Sequence, residues 1–219
     1  MAGIQDRIEF RDDFLGAGLL SATPSHDSWL IADTSAAGAP TFTRGGVNGL
    51  ATLTHESTSE VQNVCLYMGD NLNFDIDLID HIEIGLAVGQ AALDAATQVS
   101  WGLASARNDD IDTIAEAALF RCIAGNVIVV ETDDGTTNKD DVATGTSAGV
   151  AQQKYVISFA NGKSDVRFYV GGERVAAATT FSMASYAGAF QPFFQIQKLA
   201  DTNVDSVLID YVKVESRRA

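Results

Sequence analysis

Apolar and polar residues alternate along several stretches of the chain. In residues 71–78, NLNFDIDL, the even positions are apolar and the odd positions are polar, and the alternation returns from Ile82 to Val88. A period of two places the two kinds of side chain on opposite faces of an extended strand, whereas a helix would scatter them. The pattern therefore predicts two consecutive strands, or one strand with a bend near 78–80.

A second group of alternating segments predicts a hairpin. Residues 155–159 (YVISF) and 166–170 (VRFYV) flank an Asn161-Gly162 pair, and Asn-Gly supplies the positive φ angles that a tight reversal needs. Two further glycines separate the second arm from residues 173–176. We expect a three-stranded meander with one alternate set of apolar side chains in the core.

Short apolar segments separated by Gly, Asp, Asn and Ser predict further strands. They lie at 8–14, 50–54, 99–104, 117–123, 127–131, 193–199 and 207–214. Apolar residues at 111–118 have a spacing that a short helical turn would also show, so that alternative stays open. The acidic stretch 133–141 predicts an exposed loop or a hairpin tip. So many short strands indicate a sandwich or a barrel.

Composition supports one domain and narrows the range of partners. The chain has 219 residues, of which 46% are hydrophobic, so residues 1–219 are expected to form a single domain around one core. A formal charge of −15 would repel nucleic-acid phosphates and anionic membranes, and neither is expected as a partner. No apolar run reaches the length of a membrane span and the start lacks an apolar signal segment, which favours synthesis in a host cytoplasm.

Three segments resemble known proteins of one fold. Residues 165–175 (DVRFYVGGERV) are similar to the strand-turn-strand of the concanavalin A-like lectin and glucanase superfamily, with Gly171 where that superfamily usually has Asp. Residues 208–214 (LIDYVKV) resemble its closing strand. The resemblance implies an all-β fold, a two-sheet antiparallel jelly-roll sandwich.

The opening of the chain resembles that of tailed-phage structural proteins with this fold. The similar residues are 10–16 (FRDDFLG), Trp29 and 45–50 (GGVNGL). This resemblance implies a virion protein, and specifically a head decoration or cement protein that binds the capsid as a homo-oligomer.

The glycan hydrolases of the superfamily carry a Glu-x-Asp-x-Glu strand, because one carboxylate attacks the sugar while a nearby one protonates the leaving oxygen. The nearest match here is Asp75-Ile76-Asp77 with Glu83. The third acid of the pattern is replaced by Ile79, and Glu83 lies two steps too far along the strand. We therefore expect no hydrolase activity from this group.

Other catalytic residue types are also placed unfavourably. Related alginate lyases use a Gln-Ile-His strand, but here the sequence is Gln195-Ile196-Gln197, which has no titratable base. The three histidines, His26, His55 and His81, are isolated in the sequence. Cys65 and Cys122 are too few and too far apart for a disulfide framework or a zinc site, and are predicted to be buried. The chain is expected not to be an enzyme.

Calcium is the one cofactor for which a question stays open. Counted from Asp133 or Asp134, the twelfth residue is Thr144 or Gly145 rather than the Glu of an EF-hand. A looser calcium site could use the aspartates Asp133, Asp134, Asp140 and Asp141. No other cofactor is expected.

The function predicted from the sequence is that of a non-enzymatic virion protein that binds the major capsid protein or other virion proteins. Ile4, Ile8 and Phe10 are the candidate capsid contacts, with residues 1–7 as an N-terminal contact arm. The alternative is a carbohydrate-binding module of a tail fibre or surface adhesin, which would need exposed aromatic rings. Trp29 and Trp101 lie in predicted strands, where core packing is the expected role.

Overall fold

The computed structural model describes residues 7–15 and 29–218, and these residues form two antiparallel sheets packed face to face. Sheet A contains, in spatial order, β14 (Glu173–Val175), β13 (Arg167–Val170), β12 (Gln153–Ser158), β7 (Ile79–Val88), β16 (Ser206–Arg217), β4 (Ala51–Thr54) and β3 (Thr41–Thr43), with β1 (Arg7–Asp12) also paired to β16. Sheet B contains β11 (Asn138–Ser147), β10 (Val127–Asp134), β9 (Glu116–Ile123), β8 (Thr97–Ala104), β15 (Ala189–Asp201), β5 (Glu60–Tyr67) and β2 (Leu30–Asp33), with β6 (Phe74–Asp75) also paired to β15. The predicted all-β sandwich is confirmed. In the part of the chain that is described, the helical elements are two 3₁₀ turns, and none could cross a membrane.

The predicted hairpin is confirmed in its register. Tyr155 lies opposite Val170 and Ile157 opposite Phe168, and all four side chains are buried. Gly162 supplies a φ of 84° in the reversal, which L-residues with a Cβ adopt only with strain. Strand β14 then pairs with β13 to complete the meander.

The predicted strand at 71–78 is wrong for most of its length. Only Phe74–Asp75 is strand. The Asp75 carboxylate accepts a hydrogen bond from the Asp77 backbone N–H at 2.9 Å, and the Leu78 N–H bonds to the Asp75 carbonyl at 3.0 Å. These local bonds form a turn, because an Asp side chain competes with the ladder for backbone donors. The expected break before β7 is therefore a tight turn.

Strands β5 and β11 of sheet B fall outside the ranges of the predicted strands. β5 carries the polar pair Gln62 and Asn63, both buried, and β11 follows an acidic tip with few apolar residues. The hairpin-tip interpretation of 133–141 is confirmed, since β10 and β11 pair around residues 135–137. The segment at 111–118 forms one 3₁₀ turn, Ile111–Thr113, before β9 begins.

Aromatic rings join the two sheets at the centre of the core. Trp101 on β8 and Phe120 on β9 meet Tyr155 on β12 with centroid distances of 4.8 Å and 5.3 Å. Phe168 on β13 contacts Phe120 edge-to-face at 5.2 Å. Edge-to-face pairs add about 0.5–1.5 kcal/mol each to the stabilisation from burial. Trp101 is a core residue, as predicted, and Trp29 is also buried.

A buried lysine connects two loops at one end of sheet B. Lys198 on β15 is fully buried, and its ammonium donates to the main-chain carbonyl oxygens of four residues. The acceptors are Glu56, Thr58 at 3.1 Å, Asp201 at 3.1 Å and Asn203 at 3.2 Å. A buried charge is tolerated only when it is well hydrogen-bonded. Lys198 therefore ties two loops together through a cage of carbonyls.

Candidate functional site

The outer face of sheet B is covered by residues 105–115, which we call the plug segment. Ile111 and Ile114 of this segment are buried and pack in a cluster with Leu119 and Phe193 of the sheet. Burying two isoleucines contributes about 1.5–3 kcal/mol each. The plug segment is therefore held on the sheet by apolar packing.

Polar contacts fix the position of the plug segment. The Asp109 carbonyl accepts hydrogen bonds from Asn63 Nδ2 at 2.7 Å and Gln195 Nε2 at 3.1 Å. The Asp110 carboxylate accepts from the Asp112 N–H at 3.2 Å and so caps the 3₁₀ turn. Gln195 therefore lies beneath the plug segment. Gln197, which stands where the lyase strand has its histidine, instead lines a cavity beside that segment.

A cluster of charged residues lies where the plug segment meets strands β9, β10 and β11. We call it the Arg121 cluster, and its members are Arg121, Asp112, Glu131, Asp140 and Asp141. The Arg121 Nη1 atom is 2.7 Å from Asp112, 3.0 Å from Glu131, 3.6 Å from Asp140 and 3.2 Å from Asp141. One guanidinium thus faces four carboxylates, and Nη2 also donates to Gln98 at 2.8 Å.

Burial raises the pKa of Glu131 to about 8, because desolvation and the neighbouring Asp140 carboxylate outweigh the attraction of the shared Arg121 charge. Since the folded-state pKa is raised, the contribution of Glu131 to stability is present below pH 4.5 and is lost as the pH rises through about 8.

The Arg121 cluster is the part of the site that sequence reasoning missed. Glu131 and Asp133 alternate along β10, which is the carboxylate spacing sought at Asp75 and Asp77, and the third place is Gly135. Carboxylate oxygens of Asp112, Glu131 and Asp140 lie within 4.8 Å of one another. However, Arg121 Nη1 lies among them, and the adjoining cavity has a volume of only about 10 Å³. A sugar ring does not fit in that space.

A larger cavity lies on the same face, beside the plug segment, and we call it the plug-side cavity. Its volume is about 390 Å³. Its lining residues are Ala95, Ala96, Gln98, Asp109, Asp110, Gln197 and Leu199. Asn63, Gln197 and Gln98 are in register across β5, β15 and β8, so their amides form a row across the sheet.

Two of the segments that resemble phage proteins meet in the structure at Asp12, and Arg44, the residue directly before the third segment, joins them. The Asp12 carboxylate accepts hydrogen bonds from Trp29 Nε1 at 2.9 Å, Arg44 Nη2 at 2.9 Å and the Phe14 backbone N–H at 2.7 Å. Phe14 has a φ of 50° and is fully buried against Trp29, with centroids 5.7 Å apart. A non-glycine residue with positive φ persists only where its surroundings hold it. We call these residues, with Leu15 and Val47, the Asp12 node.

The Asp12 node exposes apolar side chains. Leu15 is 73% exposed and Val47 is 85% exposed. A Cβ at Gly49 would overlap the Asp13 carbonyl oxygen and lie 3.0 Å from Leu15 Cδ2, so this loop packs closely against the segment of Leu15. Leu15 therefore lies against the loop that carries Val47.

The predicted capsid contacts have different environments. Ile8 on β1 is 43% exposed, whereas Phe10 packs on the domain itself, 5.8 Å from Phe74 and 6.3 Å from Trp29. Ile4 lies outside the described residues. Arg7, the last residue of the predicted arm, belongs to β1 and pairs with Glu215 at 3.3 Å. The contact prediction itself stays a prediction.

The acids considered for hydrolysis are held by different partners. Asp77 bonds to Lys163 Nζ at 2.9 Å, and Glu83 accepts from the Tyr211 hydroxyl at 2.7 Å. His55 is buried, and burial lowers its pKa to about 4, so it is neutral at pH 7. His26 lies outside the described residues. Cys65 and Cys122 are buried free thiols, as predicted.

The aspartates considered for calcium have separate roles. Asp134 is buried, and its carboxylate accepts backbone hydrogen bonds from Thr136, Thr137 and Ser185. The Asp133 carboxylate accepts from the Gly135 N–H at 2.8 Å. Asp140 and Asp141 belong to the Arg121 cluster. The first two aspartates therefore stabilise the hairpin tip and the last two face Arg121.

Glu83 also lines a shallow basin on the outer face of sheet A, with a volume of about 310 Å³. The other lining residues are His81, Lys154, Val156, Ser158, Tyr169 and Gly172. A Cβ at Gly85 would lie 2.5 Å from the Tyr211 ring, so the missing side chain lets that ring lie across β7 and reach Glu83. Tyr169 supplies a half-buried aromatic ring.

Many solved structures share this architecture. The carbohydrate recognition domain of Emp47p superposes with a TM-score of 0.60 over 99% of this chain and 97% of its own, at 8% identity. The β-glucanase of Bacillus licheniformis gives a TM-score of 0.61 over 96% and 98%, at 11% identity. The chain has the concanavalin A-like fold. Among structures with that fold, the potassium-bound carbohydrate recognition domain of Emp46p gives a TM-score of 0.53 over 93% and 97%, at 11% identity.

These superpositions establish the concanavalin A-like fold. At identities of 8–11%, they say nothing about activity. No model of a known protein family matches the sequence, and no curated protein matches it.

Proposed function

We propose that this concanavalin A-like chain is a non-enzymatic structural protein of a tailed-phage virion, most specifically a decoration protein of the head. It would bind the major capsid protein as a homo-oligomer. The Asp12 node carries this proposal, because Asp12 bonds to Trp29 and to Arg44, the residue directly before the 45–50 segment. Gly49 of that segment packs against the Asp13 backbone. The node then presents Leu15 and Val47 to solvent.

The covered outer face of sheet B supports a non-enzymatic role. A glycan hydrolase of this fold needs an open cleft with two carboxylates placed for acid and nucleophile. Here the plug segment covers the face with Ile111 and Ile114, and the carboxylates beside it surround Arg121. Arg121 holds these carboxylates in place, and the adjoining cavity of about 10 Å³ has no room for a sugar ring.

Replacing Leu15 and Val47 together with aspartate should abolish attachment to particles that lack this protein. Each apolar side chain buried at an interface contributes about 1.5–3 kcal/mol, so losing both should weaken binding by at least about a hundredfold. Attachment is measured by mixing the purified protein with particles and pelleting them. Because apolar burial is not screened, raising the salt from about 0.1 M to about 1 M should release little of the wild-type protein.

The matched control is Val150→Asp, since Val150 is 62% exposed and lies away from the node in the sequence. It should pellet like the wild type. A second variant lacking residues 1–6 keeps β1 intact and tests whether the arm adds to the contact. Unchanged pelleting of the Leu15→Asp, Val47→Asp protein would reject the node as the anchor, and complete release at high salt would point to a charged interface.

Carbohydrate binding is the second candidate, and the basin on sheet A favours it. Val156 and the Tyr169 ring form its apolar part, with Ser158, His81 and Glu83 as hydrogen-bonding groups. Sugars dock their C–H faces on aromatic rings while hydroxyls bond to such groups. The structural neighbours named above include carbohydrate recognition domains.

Tyr169→Ala should weaken binding of a host surface polysaccharide at least tenfold, because the stacking ring is lost, whereas Tyr169→Phe should retain most of it. Titration followed by amide NMR measures both variants. If no saccharide shifts the signals of Val156 or Ser158, the basin is not a glycan site. Particle attachment through the Asp12 node would be unaffected by either result.

A further inference from the structure

We propose that the plug-side cavity is a docking site for an arginine or lysine side chain of a partner protein. The cavity shares no residue with the Asp12 node or with the basin on sheet A. The proposed docking site therefore goes beyond the proposed function, and its test does not depend on that function.

The floor of the cavity is a row of amides. Gln197 is half-buried between Asn63 and Gln98 in the register of the sheet. The Gln98 amide oxygen accepts from Arg121 at 2.8 Å, which shows how this row receives a guanidinium. Within residues 7–15 and 29–218, no hydrogen bond engages the Gln197 amide, so its oxygen is free to accept from a ligand.

Two carboxylates and an apolar wall complete the cavity. Asp109 and Asp110 lie at its rim, and the Asp109 side chain is 50% exposed. Leu199, 61% exposed, lines the opposite part with Ala95 and Ala96. Long basic side chains bury their methylene stems on apolar surface while the charged head binds acceptors. The cavity offers both kinds of contact side by side.

The charge around the cavity selects a cation. In the Arg121 cluster four carboxylates share one guanidinium, and Arg107 is paired with Asp109. The chain as a whole carries −15. A negative field on one face attracts basic partners and repels phosphate, sulfate and acidic peptides. The volume of about 390 Å³ is at the small end of ligand sites, which suits one side chain.

The test is an NMR titration with N-acetyl-arginine methylamide, compared with the citrulline analogue, which has nearly the same shape and no charge. The arginine probe should shift the side-chain amide signals of Gln98 and Gln197 saturably, at least tenfold more tightly than the citrulline probe. Asp109→Asn with Asp110→Asn removes the two rim charges and keeps the capping oxygen, and it should lose this difference. Glu173→Gln, on the exposed edge of sheet A, is the control, and it should keep the difference in affinity between the two probes.

Each other outcome overturns the proposal. Equal shifts with the citrulline analogue would show a site for neutral polar ligands. Calcium that produces the same shifts and displaces the arginine probe would show a metal site. No shift at the highest soluble probe concentration would show that the cavity binds neither. Because the contact is between charges, the arginine affinity should also fall as salt rises from about 0.05 M to about 0.5 M, unlike attachment through the Asp12 node.

Discussion

Replacing Lys198 with methionine is expected to lower the free energy of unfolding by about 3–5 kcal/mol. The change removes the ammonium that four main-chain carbonyls share and leaves those acceptors buried without a donor. Each orphaned buried acceptor costs about 1–3 kcal/mol, and water entering the cage would recover part of the loss. Urea unfolding, followed by the fluorescence of the two buried tryptophans, measures the change.

Lys139→Met is the matched control, because Lys139 is exposed on β11. It should change the free energy of unfolding by less than about 0.5 kcal/mol. A loss below about 1 kcal/mol for Lys198→Met would show that the cage contributes little. Protection of the backbone amides around residues 56–58 and 201–203 against hydrogen exchange gives an independent readout, since both loops should open together in the variant.

Arg121→Met is expected to cost about 3–5 kcal/mol near pH 8, because it leaves four carboxylates without their shared positive charge. The cost should fall by at least half near pH 4.5. Burial raises the pKa of Glu131 to about 8 and also raises the pKa of Asp141, so these two groups take up protons as the pH decreases. The repulsion among the carboxylates then falls, and stability lost at high pH is regained. Urea unfolding at a series of pH values measures the difference between variant and wild type.

Arg121→Lys keeps the charge and loses the planar fork of the guanidinium. Its free energy of unfolding should therefore lie between those of Arg121→Met and the wild type. Arg174→Met changes an exposed arginine on β14 and should have no pH-dependent effect. A cost for Arg121→Met that is equal at both pH values would contradict the electrostatic account, since lost packing alone has no reason to depend on protonation.

Local sequence signals predicted the parts of the fold that depend on neighbouring residues. The hairpin between β12 and β13 follows from the Asn161-Gly162 pair and from alternation on both arms. The same signal was misleading at 71–78. There the alternation is real, but the Asp75 side chain bonds to the backbone two residues on and turns the chain. Alternation alone does not reveal which residues will compete with the ladder.

The candidate sites depend on contacts between distant segments, which periodicity does not contain. Arg121 occupies an ordinary outward position of β9, and nothing nearby in the sequence indicates that carboxylates from the plug segment, β10 and β11 converge on it. Lys198 likewise lies within β15, and nothing near it in the sequence indicates that carbonyl groups of two loops converge on its ammonium. The Asp12 node is the exception, since its segments were recognised together by resemblance before the structure placed them in contact.

Electron cryo-microscopy of reconstituted particles tests the proposal that this protein coats a virion head through the Asp12 node. Particles that lack the protein are mixed with the wild type and with the Leu15→Asp, Val47→Asp variant. We expect the wild type to give regular density on the head shell, with Leu15 and Val47 at the contact and the plug segment facing outward. Particles mixed with the variant should have bare shells. Density at a fibre tip, or equal decoration by both proteins, would contradict it.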